Sequence, residues 1–263
     1  MVNEVQLNAA ADGIEETVAS AMVGIVCGSG DQKWRGIGTG TLIRWKEQHL
    51  ILTAEHVIAG TLVEDLRFFF RQDAPLIRRE RSALLELPGM PAAALRPFRE
   101  IELGRSVSDA KLDLAALPVD GGMESKYPVR FFTLEPGGTT PGVDHTTIVM
   151  GFPHDISRVT KKNERVVFTY VEWTQVAPSR TGLEDFEDSN HFLASYRLTE
   201  SYPDADPHGL SGSAMWFRRG DTPLVWHPNI DIAGVTIAWY RRPSLLKMVR
   251  REPIECFLTD QLG

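Results

Sequence analysis

The stretch HGLSGSAMW, residues 208–216, sets a serine between two glycines and runs directly into an apolar segment with strand character. Glycine turns a chain through backbone angles that other residues avoid. Gly209 and Gly212 therefore read as the two bends of a tight turn that presents Ser211. Such a turn also occurs in proteins where it has no catalytic role, and this one lacks the strand, Gly-x-Ser-x-Gly, helix setting of a hydrolase elbow. Its meaning depends on what the rest of the chain supplies.

Outward from the turn, short runs rich in Val, Ile, Thr, Phe and Trp alternate with Gly, Pro, Asp and Asn. They are MVGIVCG (22–28), GTGTLIRW (38–45), HLILTA (49–54), EDLRFFF (64–70), LDLAALPV (112–119), TTIVMGFP (146–153), RVVFTYVEWTQV (165–176), HFLASYRL (191–198), SAMWF (213–217) and DIAGVTIAW (231–239). This pattern predicts an all-β protein. Helices are expected only near residues 13–20, at EHVIAG (55–60), and from Pro243 to Leu262. In that last segment Leu245, Leu246, Met248 and Val249 would face inward and Pro253 would interrupt the helix. EPGGTTPGVDH (135–145) reads as a loop between two β units, with DGGMESKYP (120–128) as an earlier boundary. The predicted units are residues 15–122 and 123–263. LPGMPAAALRP (87–97) is read as a surface loop.

The 263 residues are 43% hydrophobic, enough for a substantial core. With 28 Lys and Arg against 35 Asp and Glu, the net charge is −7 and no long basic block is present, which argues against a nucleic-acid partner. The two cysteines, Cys27 and Cys256, stand near opposite ends and read as reduced thiols. The N-terminal stretch is acidic, without the basic start of a signal peptide, and no window approaches the ~18 apolar residues of a membrane span. A soluble cytoplasmic protein is expected, the alternative being that an export signal has been removed.

Two further residues could work with Ser211. His56 follows the apolar run LILTA, where its ring can project from a strand end toward a cleft. Asp113 opens LDLAALPV, where it would either cap a backbone amide or accept the Nδ1–H of an imidazole and hold its tautomer. A serine hydroxyl needs such a base, together with donors for the developing oxyanion. The other histidines, His49, His145, His154, His191 and His227, are scattered without a zinc-binding pattern. GIGTGTL could suggest a dinucleotide loop, but its glycines run G-x-G-x-G into a strand.

Thr53-Ala54-Glu55-His56 resembles the Thr-Ala-Ala-His loop of the trypsin-like (chymotrypsin-fold) serine peptidases, and Asp113-Leu114-Ala115-Ala116-Leu117 is similar to their Asp-Ile-Ala-Leu stretch. GTGTLI (38–43) and AGVTIAW (233–239) resemble the strand before the histidine loop and the strand that pairs with bound peptide. The order His, Asp, Ser is that of these enzymes, here in a bacterial-type member. The resemblance spans about residues 20–242. It implies two six-stranded antiparallel barrels with a C-terminal helix, the first carrying His56 and Asp113 and the second carrying Ser211. It also implies an oxyanion hole from the amides of Gly209 and Ser211, and no cofactor or metal.

The activity implied is a serine endopeptidase acting on a protein or peptide through an acyl-enzyme, narrow in specificity or gated by a regulatory partner. The alternative is an inactive pseudopeptidase that binds peptide. Substrate contacts are expected at Ala205, His208, Thr236, Ile237 and Ala238. Ala205 stands six residues before the serine, flanked by Asp204 and Asp206, which either reach a basic side chain or are solvated surface acids. His208 either contacts substrate or caps a turn. The chain departs from secreted relatives at Leu210, where they carry an Asp that pairs with a freed N-terminus. Activation by that cleavage is therefore not expected. The serine that supports the aspartate in relatives corresponds to Thr236 or Ile237, depending on register.

Overall fold

The computed structural model describes residues 4–29, 33–70, 76–80, 83–84, 101–152, 158–159, 165–166, 169–196, 207–219 and 229–263. An N-terminal helix, α1 (Glu4–Ser20), leads into the strands β1 (Met22–Ser29), β2 (Lys33–Trp45) and β3 (Gln48–Ala54). The single turn α2 (Glu55–Ile58) follows, then β4 (Leu66–Phe70), β5 (Leu76–Glu80), β6 (Ala83–Leu84), β7 (Val107–Asp109) and β8 (Leu114–Pro118). After the short α3 (Met123–Lys126) and β9 (Phe132–Thr133) come β10 (Thr146–Gly151), β11 (Arg158–Val159), β12 (Arg165–Val166) and β13 (Thr169–Ala177). The chain ends with β14 (His191–Ser195), β15 (Ala214–Arg218), β16 (Ile230–Tyr240), β17 (Leu245–Arg250) and α4 (Arg251–Leu262).

The strands, which the run pattern predicts, assemble into two largely antiparallel sheets, as the resemblance implies. The first runs β4-β1-β2-β3-β8-β7, with β9 added in parallel to β2. The second runs β10-β15-β16-β17-β14-β13 and returns to β10, closing a six-stranded barrel. The strands β5 and β6, which come from the first half of the chain, extend this second sheet through a parallel pairing of β5 with β13. The pair β11 and β12 stands apart.

Strands buried on both faces explain the nearly continuous apolar runs. One face fills the interior of its own sheet: Val23, Ile25, Leu42, Ile51, Phe68 and Phe70 in the first sheet, and Val149, Phe192, Leu210, Met215, Leu246 and Met248 inside the barrel of the second. The other face meets the opposite sheet and α4 in a shared core that includes Leu52, Phe69, Ile148, Trp216, Ile232 and Phe257. Each such side chain contributes about 1.5–3 kcal/mol on leaving water. The glycines of GTGT pack rather than bind phosphate. A Cβ at Gly38 would overlap Val57 and one at Gly40 would overlap Ile51, while Thr39 and Thr41, on the alternate face of β2, look toward the second barrel.

The C-terminal segment corrects one expectation. Leu245–Arg250 is strand β17, which completes the ring between β16 and β14, and the helix begins only at Arg251. A short apolar run is ambiguous between strand and helix by periodicity alone. Here Leu246 and Met248 fill the barrel while Val249 faces the shared core. Pro253 does not interrupt α4, because it is the third helical residue, where the missing N–H has no intrahelical partner to lose. Helix α1 extends well beyond the expected turn, burying Ile14 and Val18 one turn apart.

The loop 135–145 is irregular, as expected, and is tied to α4. Gly137 and Gly138 donate their amides to Glu255 at 2.8 and 3.0 Å. The fully buried Arg251 donates to the Glu135 carbonyl at 2.5 Å, to Glu255 at 2.6 Å and to Asp231 at 3.1 Å. No helix among the described residues is long and apolar enough to cross a membrane. LPGMPAAALRP lies outside the described residues.

Candidate active site

The pairing register of β3 with β8 brings two of the singled-out residues together. Ala54 pairs with Leu114, so His56, two residues past the end of β3, meets Asp113, one residue before the start of β8. Asp113 takes a left-handed backbone with φ 55°, uncommon for a residue with a side chain. Its carbonyl accepts the Glu55 amide at 3.0 Å and its Oδ1 accepts the His56 amide at 2.9 Å. Its Oδ2 lies 2.7 Å from His56 Nδ1. A carboxylate is acceptor-only, so Nδ1 carries the proton and the lone pair of a neutral ring is on Nε2. Asp113 therefore acts both as backbone cap and as imidazole partner. The hydrogen bond to Asp113, with the charges of Asp113 and Glu55, raises the His56 pKa above 6.5 against the opposing effect of burial.

The serine turn sits across the seam between the sheets. Gly209 and Gly212 have φ of 98° and 86°, so both bends occupy backbone space open to glycine. Leu210 donates its amide to Pro207 O at 2.8 Å, and Ser213 donates to Leu210 O at 2.8 Å. The Leu210 side chain is fully buried inside the second barrel. Gly212 donates to Thr236 O at 2.8 Å, and the Thr39 amide donates to Ser211 O at 2.9 Å. The Thr39 hydroxyl donates to Gly209 O at 2.6 Å and accepts the Phe152 amide at 3.1 Å. A Cβ on Gly212 would overlap Thr39 O and Thr53 Oγ1 and come within 3.0 Å of Ala54 N, so this residue abuts the base of the histidine turn.

Ser211 itself is half-buried. Among the described residues, no hydrogen bond joins its hydroxyl to His56 Nε2. Nor do the amides of Gly209 and Ser211 donate to any acceptor among those residues.

The expected substrate residues fall differently. Thr236 is buried, and both its backbone groups are bonded to the serine turn. Its hydroxyl has no partner among the described residues, so it does not hold Asp113, and the Ile237 side chain has no donor with which to do so. Ile237 lies at a bulge in the pairing of β16 with β17, and Ala238, opposite Lys247, is exposed. Pairing of β16 with β15 stops at Val235, so from Ile237 onward that edge of β16 has no strand beside it among the described residues. His208 is exposed beside the turn. Ala205, Asp204 and Asp206 lie outside the described residues.

Sequence reasoning did not single out Thr39 or Lys247. Lys247 is buried on β17 with its ammonium on the Asp185 carbonyl; burial lowers its pKa, while the charges of Asp185, Asp113 and Glu187 act the other way. A lysine inside the apolar run LLKMVR was a readable signal; a threonine in a Gly-rich strand was not. Of the other histidines, His49 accepts from Arg44 Nε at 3.2 Å and His191 Nδ1 accepts the Glu187 amide at 3.0 Å. His154 and His227 lie outside the described residues. Among the described residues, no three His, Cys, Asp or Glu side chains are grouped to hold a metal ion.

A closed six-stranded barrel facing a second antiparallel sheet, with a C-terminal helix behind, is the fold of the trypsin-like serine peptidases. Solved structures carry the same comparison. The chain is similar to a serine endoprotease from Yersinia pestis, with a TM-score of 0.52 and 18% identity, covering 95% of this chain and 67% of that one. It is similar to the active form of a protease from M. tuberculosis, with a TM-score of 0.54 and 12% identity over 95% and 85% of the two chains. It is also similar to an inactivated protease paralogue of the scabies mite, with a TM-score of 0.57 and 13% identity over 93% and 95%. No protein-family model and no curated protein matches the chain. Active and inactivated proteins share this fold, so the site must carry the functional argument.

Proposed function

We propose that the chain is a serine endopeptidase with Ser211 as nucleophile, His56 as general base and acid, and Asp113 as the group that orients the imidazole. The observation that supports this most is the double contact of Asp113 with His56, set against a serine turn whose Gly209 and Ser211 amides donate to no acceptor among the described residues. In the reaction, Ser211 Oγ bonds to the scissile carbonyl carbon as its proton passes to His56 Nε2. The carbonyl electron pair moves onto oxygen, where the two amides donate to it. On collapse the C–N bond breaks, the amine leaves with the proton from His56, and an acyl-enzyme remains. Water, deprotonated by His56, then releases the acid and restores Ser211. None of these steps needs a cofactor.

A peptide laid along the open edge of β16 from Ile237 would add a strand and present its carbonyl to the turn. A protein or peptide substrate would fit that edge, with His208 and Ala238 as exposed contacts and Ile237 beside them. Narrow specificity or a regulatory partner would restrain such an enzyme in a cytoplasmic setting. The missing His56–Ser211 hydrogen bond is compatible with catalysis, because such bonds are often long until substrate is bound. The test is labelling by a fluorophosphonate probe. Wild type should react and Ser211→Ala should not; a wild type that never reacts would instead mark a peptide-binding pseudopeptidase. Mapping cleavage sites across a proteome, wild type against Ser211→Ala, would then define the substrate.

A further inference from the structure

We propose that Thr39, on β2 of the first sheet, is the positioning residue that orders the serine turn and leaves its two oxyanion amides free. The inference rests on Ser211 being the nucleophile, and it identifies what holds the turn when Leu210 stands before that serine.

In a planar trans peptide the C=O and the N–H point in opposite directions, so fixing one end fixes the other. The plane between Gly209 and Leu210 is held at both ends: its oxygen by the Thr39 hydroxyl at 2.6 Å, its N–H by Pro207 O at 2.8 Å. The plane between Ser211 and Gly212 is held likewise, its oxygen by the Thr39 amide at 2.9 Å and its N–H by Thr236 O at 2.8 Å. Between them, the Leu210 carbonyl is taken by the Ser213 amide at 2.8 Å, which turns the Ser211 N–H the other way. The pinned planes alternate with the planes that carry the Gly209 and Ser211 amides. Thr39 holds two of the three fixed oxygens, one with its side chain and one with its backbone.

The Thr39 hydroxyl is itself oriented. It accepts the Phe152 amide at 3.1 Å, so its single proton is directed to Gly209 O. Space for this arrangement is made at Gly151, where a Cβ would lie 2.8 Å from Thr39 Oγ1 and 2.7 Å from Leu210 Cδ2. Thr39, from the first sheet, and the Leu210 side chain, buried inside the second barrel, thus hold the turn on its two sides.

The experiment measures the fluorophosphonate labelling rate and p-nitrophenyl acetate turnover for wild type, Thr39→Val, Thr39→Ala and Thr39→Ser, with a melting curve for each. A disordered oxyanion donor costs ~10²–10³ in kcat, and one lost brace should cost a part of that. Thr39→Val and Thr39→Ala are expected to lose about tenfold or more in labelling rate and kcat, with KM within about threefold and a folded melting transition. Thr39→Ser, which keeps the hydroxyl, should recover to within about threefold of wild type. Labelling of Thr39→Val at the wild-type rate, or no recovery in Thr39→Ser, overturns the proposal. Unfolding of both Val and Ala variants also counts against it, since Thr39 would then hold the sheets together rather than the turn. A wild type that never labels overturns the peptidase reading itself.

Discussion

Asp113 grips His56 at two points, its Oδ1 on the backbone amide at 2.9 Å and its Oδ2 on the ring Nδ1 at 2.7 Å. The first contact fixes where the residue sits and the second fixes how its ring is turned. Asp113→Asn keeps the shape but replaces one acceptor with a donor, favouring the wrong tautomer. The fluorophosphonate labelling rate should fall by about 10³–10⁴. The pH profile should move as well. Catalysis needs neutral His56, and the raised pKa places the loss of activity on acidification above pH 6.5. Without the Asp113 hydrogen bond and charge, the residual activity of the variant should persist to lower pH. An unmoved inflection would exclude Asp113 as the source of the shift.

Gly212→Ala should separate the serine turn from the first sheet. A methyl there meets Thr39 O and Thr53 Oγ1 head on, and the φ of 86° disfavours any side chain. Overpacking and left-handed strain together should cost roughly 3 kcal/mol. Urea denaturation at neutral pH reads this directly; a variant with the wild-type midpoint would mean that the seam yields without cost.

Much of this was legible in the sequence because strands buried on two faces are written in unbroken Val, Ile, Leu and Phe runs. HLILTA and LDLAALPV read as strands, and it was the resemblance carried by Thr53–His56 and Asp113–Leu117 that implied the meeting of His56 with Asp113. What was not legible depends on distant partners. Nothing local in Leu76–Glu80 indicates a parallel partner in β13, and LLKMVR reads as well for a helix face as for a strand between β14 and β17. Thr39 was invisible for the same reason: its acceptor on Gly209 is 170 residues away, across the seam between the sheets.

Arg251→Met tests the clamp behind the second barrel. Removing the guanidinium leaves Asp231 buried with Arg219 as its remaining cation, and frees the loop carbonyl of Glu135. Breaking one side of a buried pair typically costs about 3–5 kcal/mol. Adding Asp231→Asn to Arg251→Met should recover part of that loss, since the stranded charge is gone. A double variant no more stable than the single one would place the cost in lost packing around Arg251 instead.

His191 makes the fold acid-sensitive. Burial, aided by the Lys247 and Arg250 charges and opposed by Glu187, pushes its pKa down to about 4. A protonated ring could not accept the Glu187 amide on Nδ1. The unfolded chain takes up this proton near pH 6.5 and the folded one only near pH 4, so unfolding binds a proton between those values. Stability therefore falls as pH drops from 6.5 toward 4 and levels off below. At about 1.4 kcal/mol per unit the full loss is on the order of 3 kcal/mol. In His191→Gln the difference in urea midpoint between pH 7 and pH 5 should shrink; an unchanged difference would assign the sensitivity to other groups.

Leu210→Asp places the secreted relatives' carboxylate in this chain, and it should disable the protein rather than give it a cleavage switch. Leu210 is fully buried inside the second barrel beside Val149 and Met215, packed against the space that Gly151 leaves open. A carboxylate there loses the apolar contacts, worth about 2–5 kcal/mol, and must either stay protonated or draw in water. The residues where α1 joins β1, Ala21 and Met22, are themselves bonded to β2. The variant is expected to melt well below wild type and to label slowly with fluorophosphonate, before and after limited proteolysis. Leu210→Met, similar in volume, should stay close to wild type in both measurements. If Leu210→Asp were inert until cut and active afterwards, the turn would depend on an ion pair after all, and its bracing by Leu210 and Thr39 would be refuted.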